Sequence, residues 1–101
     1  MPFLLLAVFL YSLYHHLYFI MYKNKSTDGS CNLCGKNVAR LRKAMEPAVS
    51  QRALADLLQL AGLDVDKNAV QRIESGQRFV TDIELKVLAQ VLNTSLDELL
   101  T

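Results

Sequence analysis

From Lys36 to Leu100 the apolar residues recur three and four apart in five short runs, each broken by a cap, a glycine or a proline. That spacing puts them along one side of a helix and polar residues along the other, and no stretch carries a strand signal. Five short amphipathic helices can hide their stripes only against each other. The expected fold class is therefore all-α: a compact five-helix domain over residues 35–101 around a small Leu, Val and Ile core. One hundred and one residues suit one such domain with an appendage.

The appendage is residues 1–22, a different material from the rest. It carries no Lys, Arg, Asp or Glu, and it holds all four tyrosines (11, 14, 18 and 22) and every aromatic except Phe79. As a separate apolar N-terminal helix it would span about 33 Å, enough to cross a bilayer. Lys23 and Lys25 follow it and no basic residue precedes it, so as an anchor to the inner membrane it would leave the remainder in the cytoplasm. His15 and His16 near its middle count against burial in lipid. A cleaved signal peptide fits poorly, for want of a charged start and a small-residue cleavage site. The other reading is a start at Met21, whose Met-Tyr-Lys-Asn-Lys makes a plausible soluble N-terminus. Residues 23–34 are polar and aperiodic, and a flexible linker is expected there.

Cys31 and Cys34 stand as Cys-Asn-Leu-Cys, half of a zinc-ribbon spacing whose other half is missing. No later cysteine exists, and the two histidines lie in the apolar run. A site shared between two chains or a redox pair would be needed to give these thiols a role; two incidental thiols in a flexible leader is the favoured expectation. No metal and no cofactor are expected.

In the domain, the first helix should run from about Lys36 to Met45. Val38 and Leu41 face the core with Ala44 or Met45, Arg40, Arg42 and Lys43 point out, and Pro47 stops it. Ser50 caps the second helix, Gln51 to about Leu60, whose buried face is Leu54, Ala55 and Leu58; Gly62 ends it. Asp66 caps the third, Lys67 to about Glu74, pinned by Val70 and Ile73, with Gly76 at its end. Lys67, Asn68, Gln71 and Arg72 then fall on its exposed side. Asn pairs two-pronged with adenine and Arg with guanine, so this set has the chemistry to read bases. Phe79 is expected as the lone core aromatic. Thr81-Asp-Ile-Glu84 and Ser95-Leu-Asp-Glu98 are capping boxes for two more helices. The first carries Ile83, Val87, Leu88, Val91 and Leu92, and the second Leu96, Leu99 and Leu100.

Residues 50–76 resemble the helix-turn-helix of phage-repressor-like (XRE-type) bacterial DNA-binding domains, and the resemblance runs from Gly35 to Leu100. It implies that Lys67, Asn68 and Arg72 face base edges and that Gln51 meets phosphate or buttresses the reading helix. It also implies that Ser75, Gln77 and Arg78 touch the DNA backbone, and that Ala55 is small so that the reading helix can come close. Glu74 is expected to bond back into the fold. The chain departs from the pattern twice. Asp66 stands where Ser or Thr is usual, and about five extra residues lie between Ala55 and Val65.

Charge is consistent with one face turned to phosphate. Residues 36–80 hold eight basic and five acidic side chains, while from Thr81 onward Lys86 faces Asp82, Glu84, Asp97 and Glu98. No nucleophile stands with a base and an acid, and no Gly-rich phosphate loop is present, so an enzyme is not expected and no small-molecule substrate is evident. The expected function is a sequence-specific, dimeric transcriptional regulator of bacterial or phage type bound to double-stranded DNA. The alternative is a membrane-tethered interaction module that keeps the fold without reading bases.

Overall fold

The computed structural model describes residues 3–21 and 24–101, and within the first helix the side chains of residues 4–14. The described residues form six α-helices and no strand: α1 (Phe3–Met21), α2 (Gly35–Ala44), α3 (Gln51–Leu60), α4 (Lys67–Glu74), α5 (Asp82–Val91) and α6 (Leu96–Leu100). Four starts are capped by the residues the sequence points to. Ser50 accepts from the Ala53 N–H at 3.0 Å, Asp66 from Ala69 at 2.8 Å and Ser95 from Glu98 at 3.0 Å. Thr81 and Glu84 close a reciprocal capping box. Such caps contribute about 1 kcal/mol each by satisfying otherwise orphaned donors.

The helices α2 to α6 enclose one core. Val38, Leu54, Leu58, Val70, Ile73, Leu88 and Leu99 are all buried. Ala55, also buried, lies on the α3 face that packs against α4. Gly35 fixes a second close approach, since a Cβ there would collide with the backbone oxygens of Ile73 and Glu74 at the end of α4. The Asn37 side chain donates to the Leu99 carbonyl at 2.9 Å and ties α2 to α6. Helix α3 is ten residues long, and residues 61–66 connect it to α4. Gly62 takes φ 100°, and the Leu63 N–H donates to the Leu58 carbonyl at 3.0 Å. Gln59 then donates to the Val65 carbonyl at 2.8 Å, and Val65 is buried.

Five expectations are corrected. Residues 30–34 are not a loose linker. The Cys31 N–H donates to the Gly76 carbonyl at 2.7 Å, and the Asn32 amide donates to the carbonyls of Ile73 (3.1 Å) and Arg78 (2.8 Å) while accepting from the Gly35 N–H (2.8 Å). Cys34 is accordingly no incidental thiol in a leader: it is fully buried in the core, and burial pushes its thiol up to about 11. It packs as an uncharged group near neutral pH. Arg42 does not point out; it lies one turn beyond Val38 on the inward face and is 8% exposed. Phe79 is 48% exposed, because its neighbour Val80 takes the place against the core. Ile83 is 69% exposed, because the inward stripe of α5 is Leu85, Leu88, Ala89 and Leu92.

The apolar side chains described on α1, Leu4 and Phe9 among them, are exposed. Among the described residues no helix is long and apolar enough to cross a membrane. The side chains of His15, His16, Tyr18 and Tyr22, on which the readings of residues 1–22 partly turn, lie outside the described residues.

Candidate nucleic-acid interface

Helix α4 has two unlike faces. Ala69, Val70 and Ile73 are buried, and Lys67, Asn68, Gln71 and Arg72 are exposed on the other side. Among the described residues, none of these four exposed side chains is engaged in a hydrogen bond or ion pair. Positions i, i+1, i+4 and i+5 of a helix share one side, so the four form a continuous strip of donors and acceptors. Asp66 is exposed beside the strip, and its carboxylate accepts from the Ala69 N–H at the cap. That bond gives an acid a place at the start of a helix whose dipole favours it.

The strip is held from behind by a buried ion pair. The Arg42 Nε and Nη2 donate to the two carboxylate oxygens of Glu74 at 2.7 and 2.9 Å, and the Nη1 donates to the Val49 carbonyl at 2.9 Å. Gln51 donates to Glu74 Oε1 at 3.0 Å. Burial pushes the Glu74 carboxyl up, but the bonds from Arg42 and Gln51 and the Arg42 charge outweigh it and hold the group below the usual carboxylate range. Glu74 therefore bonds back into the fold, and it fastens the last turn of α4 to α2 and α3 together.

The residues assigned to backbone contacts divide. Gln77 is exposed and its side chain is unbonded among the described residues. Ser75 is exposed, with its hydroxyl donating to the Arg72 carbonyl at 3.3 Å. Gln51 is occupied by Glu74. Arg78 is occupied too: its Nη1 and Nη2 donate to the Glu84 oxygens at 3.1 and 2.8 Å, and the Nη1 also to the Phe79 carbonyl at 3.0 Å. The Arg78 guanidinium holds the Glu84 carboxyl below its usual range. Arg78 thus braces the turn between α4 and α5.

This fits a family of domains that present a helix to a groove. A family profile described as helix-turn-helix matches residues 38–99. The chain belongs to the XRE-type helix-turn-helix family. Helix-turn-helix domains of this kind are DNA-binding regulators. Comparison with curated proteins found no match, and comparison with solved structures found none. Within this helix-turn-helix, α3 and α4 are the paired helices, and α4 is the second of the two.

Sequence reasoning missed Arg52. It is exposed in the first turn of α3 and lines one shallow cleft with Asp56, Asp66, Lys67 and Asn68, its guanidinium without a hydrogen bond or ion pair among the described residues. Its place beside Gln51, one residue inside a capped helix, was the available signal. Among the described residues no cluster of three or more His, Cys, Asp or Glu side chains is placed to hold a metal ion.

Proposed function

We propose that the chain is a sequence-specific DNA-binding transcriptional regulator of bacterial or phage type, with α4 lying in the major groove. The observation that carries this reading is the unbonded strip Lys67, Asn68, Gln71 and Arg72 on a helix anchored by a buried ion pair. Rigid presentation matters because base discrimination needs donors and acceptors held in place before contact. Arg72 suits guanine O6 and N7, and Asn68 or Gln71 suits adenine N6 and N7. Lys67 also suits guanine, and Arg52, Ser75 and Gln77 flank the strip and suit phosphate, which fixes register without choosing sequence. No reaction is assigned to the chain.

The regulator acts as a homodimer in this reading. Leu96 and Leu100 on α6, with Phe79 just before α5 and Ile83 at its start, leave apolar side chains exposed on so small a domain. A two-fold pair would set two α4 helices about one helical turn of DNA apart. The membrane-tethered alternative gains no observation from the described residues.

Arg72→Ala is the direct test of base reading. It should cost about 1–3 kcal/mol at one base position of the preferred site and leave the other positions ranked as before. Competition binding against every single-base variant of that site measures this. A loss spread evenly over all sequences would assign Arg72 to phosphate and remove it from the reading set.

A further inference from the structure

The segment before α2 and the turn after α4 together enclose a polar cleft of about 540 Å³. Lys25, Ser30 and Lys36 line one wall, and Ser75, Gly76 and Gln77 line the other. We propose that this cleft is an accessory clamp for the DNA backbone, in which Lys25 and Lys36 hold phosphates next to those met by the turn after α4. The inference rests on the DNA-binding reading above and extends it to residues outside the helix-turn-helix.

Three observations support it. First, the cleft is built and not incidental. The Cys31 N–H to Gly76 carbonyl bond and the two bonds from the Asn32 amide to the Ile73 and Arg78 carbonyls tie the segment to the end of α4 and the turn after it. Ser30 sits so close over Gly76 that a Cβ on that glycine would come within 2.7 Å of the Ser30 Cβ. Second, both lysines are exposed, and among the described residues neither makes an ion pair or a hydrogen bond through its side chain. Third, one of the two acids in the lining is already neutralised. Glu74 is paired with Arg42, and Asp28 accepts from the Ser30 N–H at 3.0 Å and the Ser30 hydroxyl at 2.7 Å. With Glu74 neutralised by Arg42, the lining leaves Lys25 and Lys36 against the single Asp28 carboxylate, which its bonds from Ser30 and the Lys36 charge help to keep ionised, and the balance offered to a polyanion is positive. Because it opens beside Ser75 and Gln77, a strand lying against the turn continues into it.

Each phosphate neutralised adds about 0.9 to the slope of log affinity against log salt. Lys25→Ala with Lys36→Ala should therefore lower the slope by about 1.8 in the full chain. Between about 0.05 and 0.2 M salt the parent should then lose about twelvefold more affinity than the double variant. The loss at low salt should be equal on the preferred site and on a scrambled duplex, and thermal unfolding should be unchanged. Titration of fluorescent duplexes with full-length parent and variant at several salt concentrations reads all of these. An unchanged slope, with a parent that binds normally, would overturn the clamp alone. A loss confined to the preferred site would also overturn it, because it would make the lysines base readers. A parent that binds no duplex at any salt would remove the reading beneath it.

Discussion

Glu74→Ala is expected to lower the unfolding free energy by about 3–5 kcal/mol, the cost of leaving one partner of a buried ion pair uncompensated. The Arg42 and Glu74 side chains are 10% and 8% exposed, so water cannot replace the lost bonds. After the change Arg42 would keep only its bond to the Val49 carbonyl, and Gln51 would lose its acceptor. A small domain is stable by about 5–15 kcal/mol in all, so this single change consumes much of the margin. Replacing both partners, Arg42→Met with Glu74→Leu, should recover most of the loss, because no buried charge is then stranded. The pair also sets an acid dependence. The Glu74 carboxyl is held below its unfolded value of about 4.3. Its contribution is thus fully present above that value and is lost as the pH falls through the lower, folded one. Denaturant melts between pH 7 and 3 should show this decline in the parent and a shallower one in the double variant. Equal declines would remove Glu74 as its source.

The second large effect is on binding. Changing Lys67, Asn68 and Arg72 together to alanine should lower affinity for the preferred site by about a hundredfold or more, since a good base contact is worth about 1–3 kcal/mol. Affinity for unrelated duplex should fall far less, because Arg52, Ser75 and Gln77 remain to meet phosphate. Stability should move by no more than about 0.5 kcal/mol, as befits exposed side chains with no bonds to lose. The two predictions separate the roles built into one short helix. Glu74 and the buried face hold α4, and the strip opposite them reads. A triple variant that unfolded would mean the strip is part of the scaffold after all.

The helices and their caps were legible because they are local: Ser50, Asp66, Thr81 and Ser95 each announce a start within four residues. Glu74 was legible because an acid is out of place against a polyanion, and its inward bond is now given a partner. That partner was hidden. Arg42 shares the inward stripe with Val38, one turn away, but its charge argues for solvent unless a carboxylate 32 residues later is known to lie opposite. The same limit explains Asn32 and Cys34. A polar, aperiodic stretch reads as linker when its bonds go to Ile73, Gly76 and Arg78, more than forty residues downstream. Phe79 and Ile83 failed for a different reason. Apolar identity places a residue near a core, while which of two neighbours turns inward is set by the register of the turn entering α5. In the site, the exposed strip followed from helical spacing alone, but the capture of Arg78 by Glu84 depended on a fold-back that spacing does not encode.

Selection of binding sites from random duplex DNA, with the full chain and the Lys67, Asn68 and Arg72 triple-alanine variant at one fixed salt concentration, tests the central claim most directly. The parent should enrich a two-fold symmetric site with half-sites about one helical turn apart, and the variant should enrich none. A folded parent that enriches nothing, or a variant that enriches the same site, would contradict it.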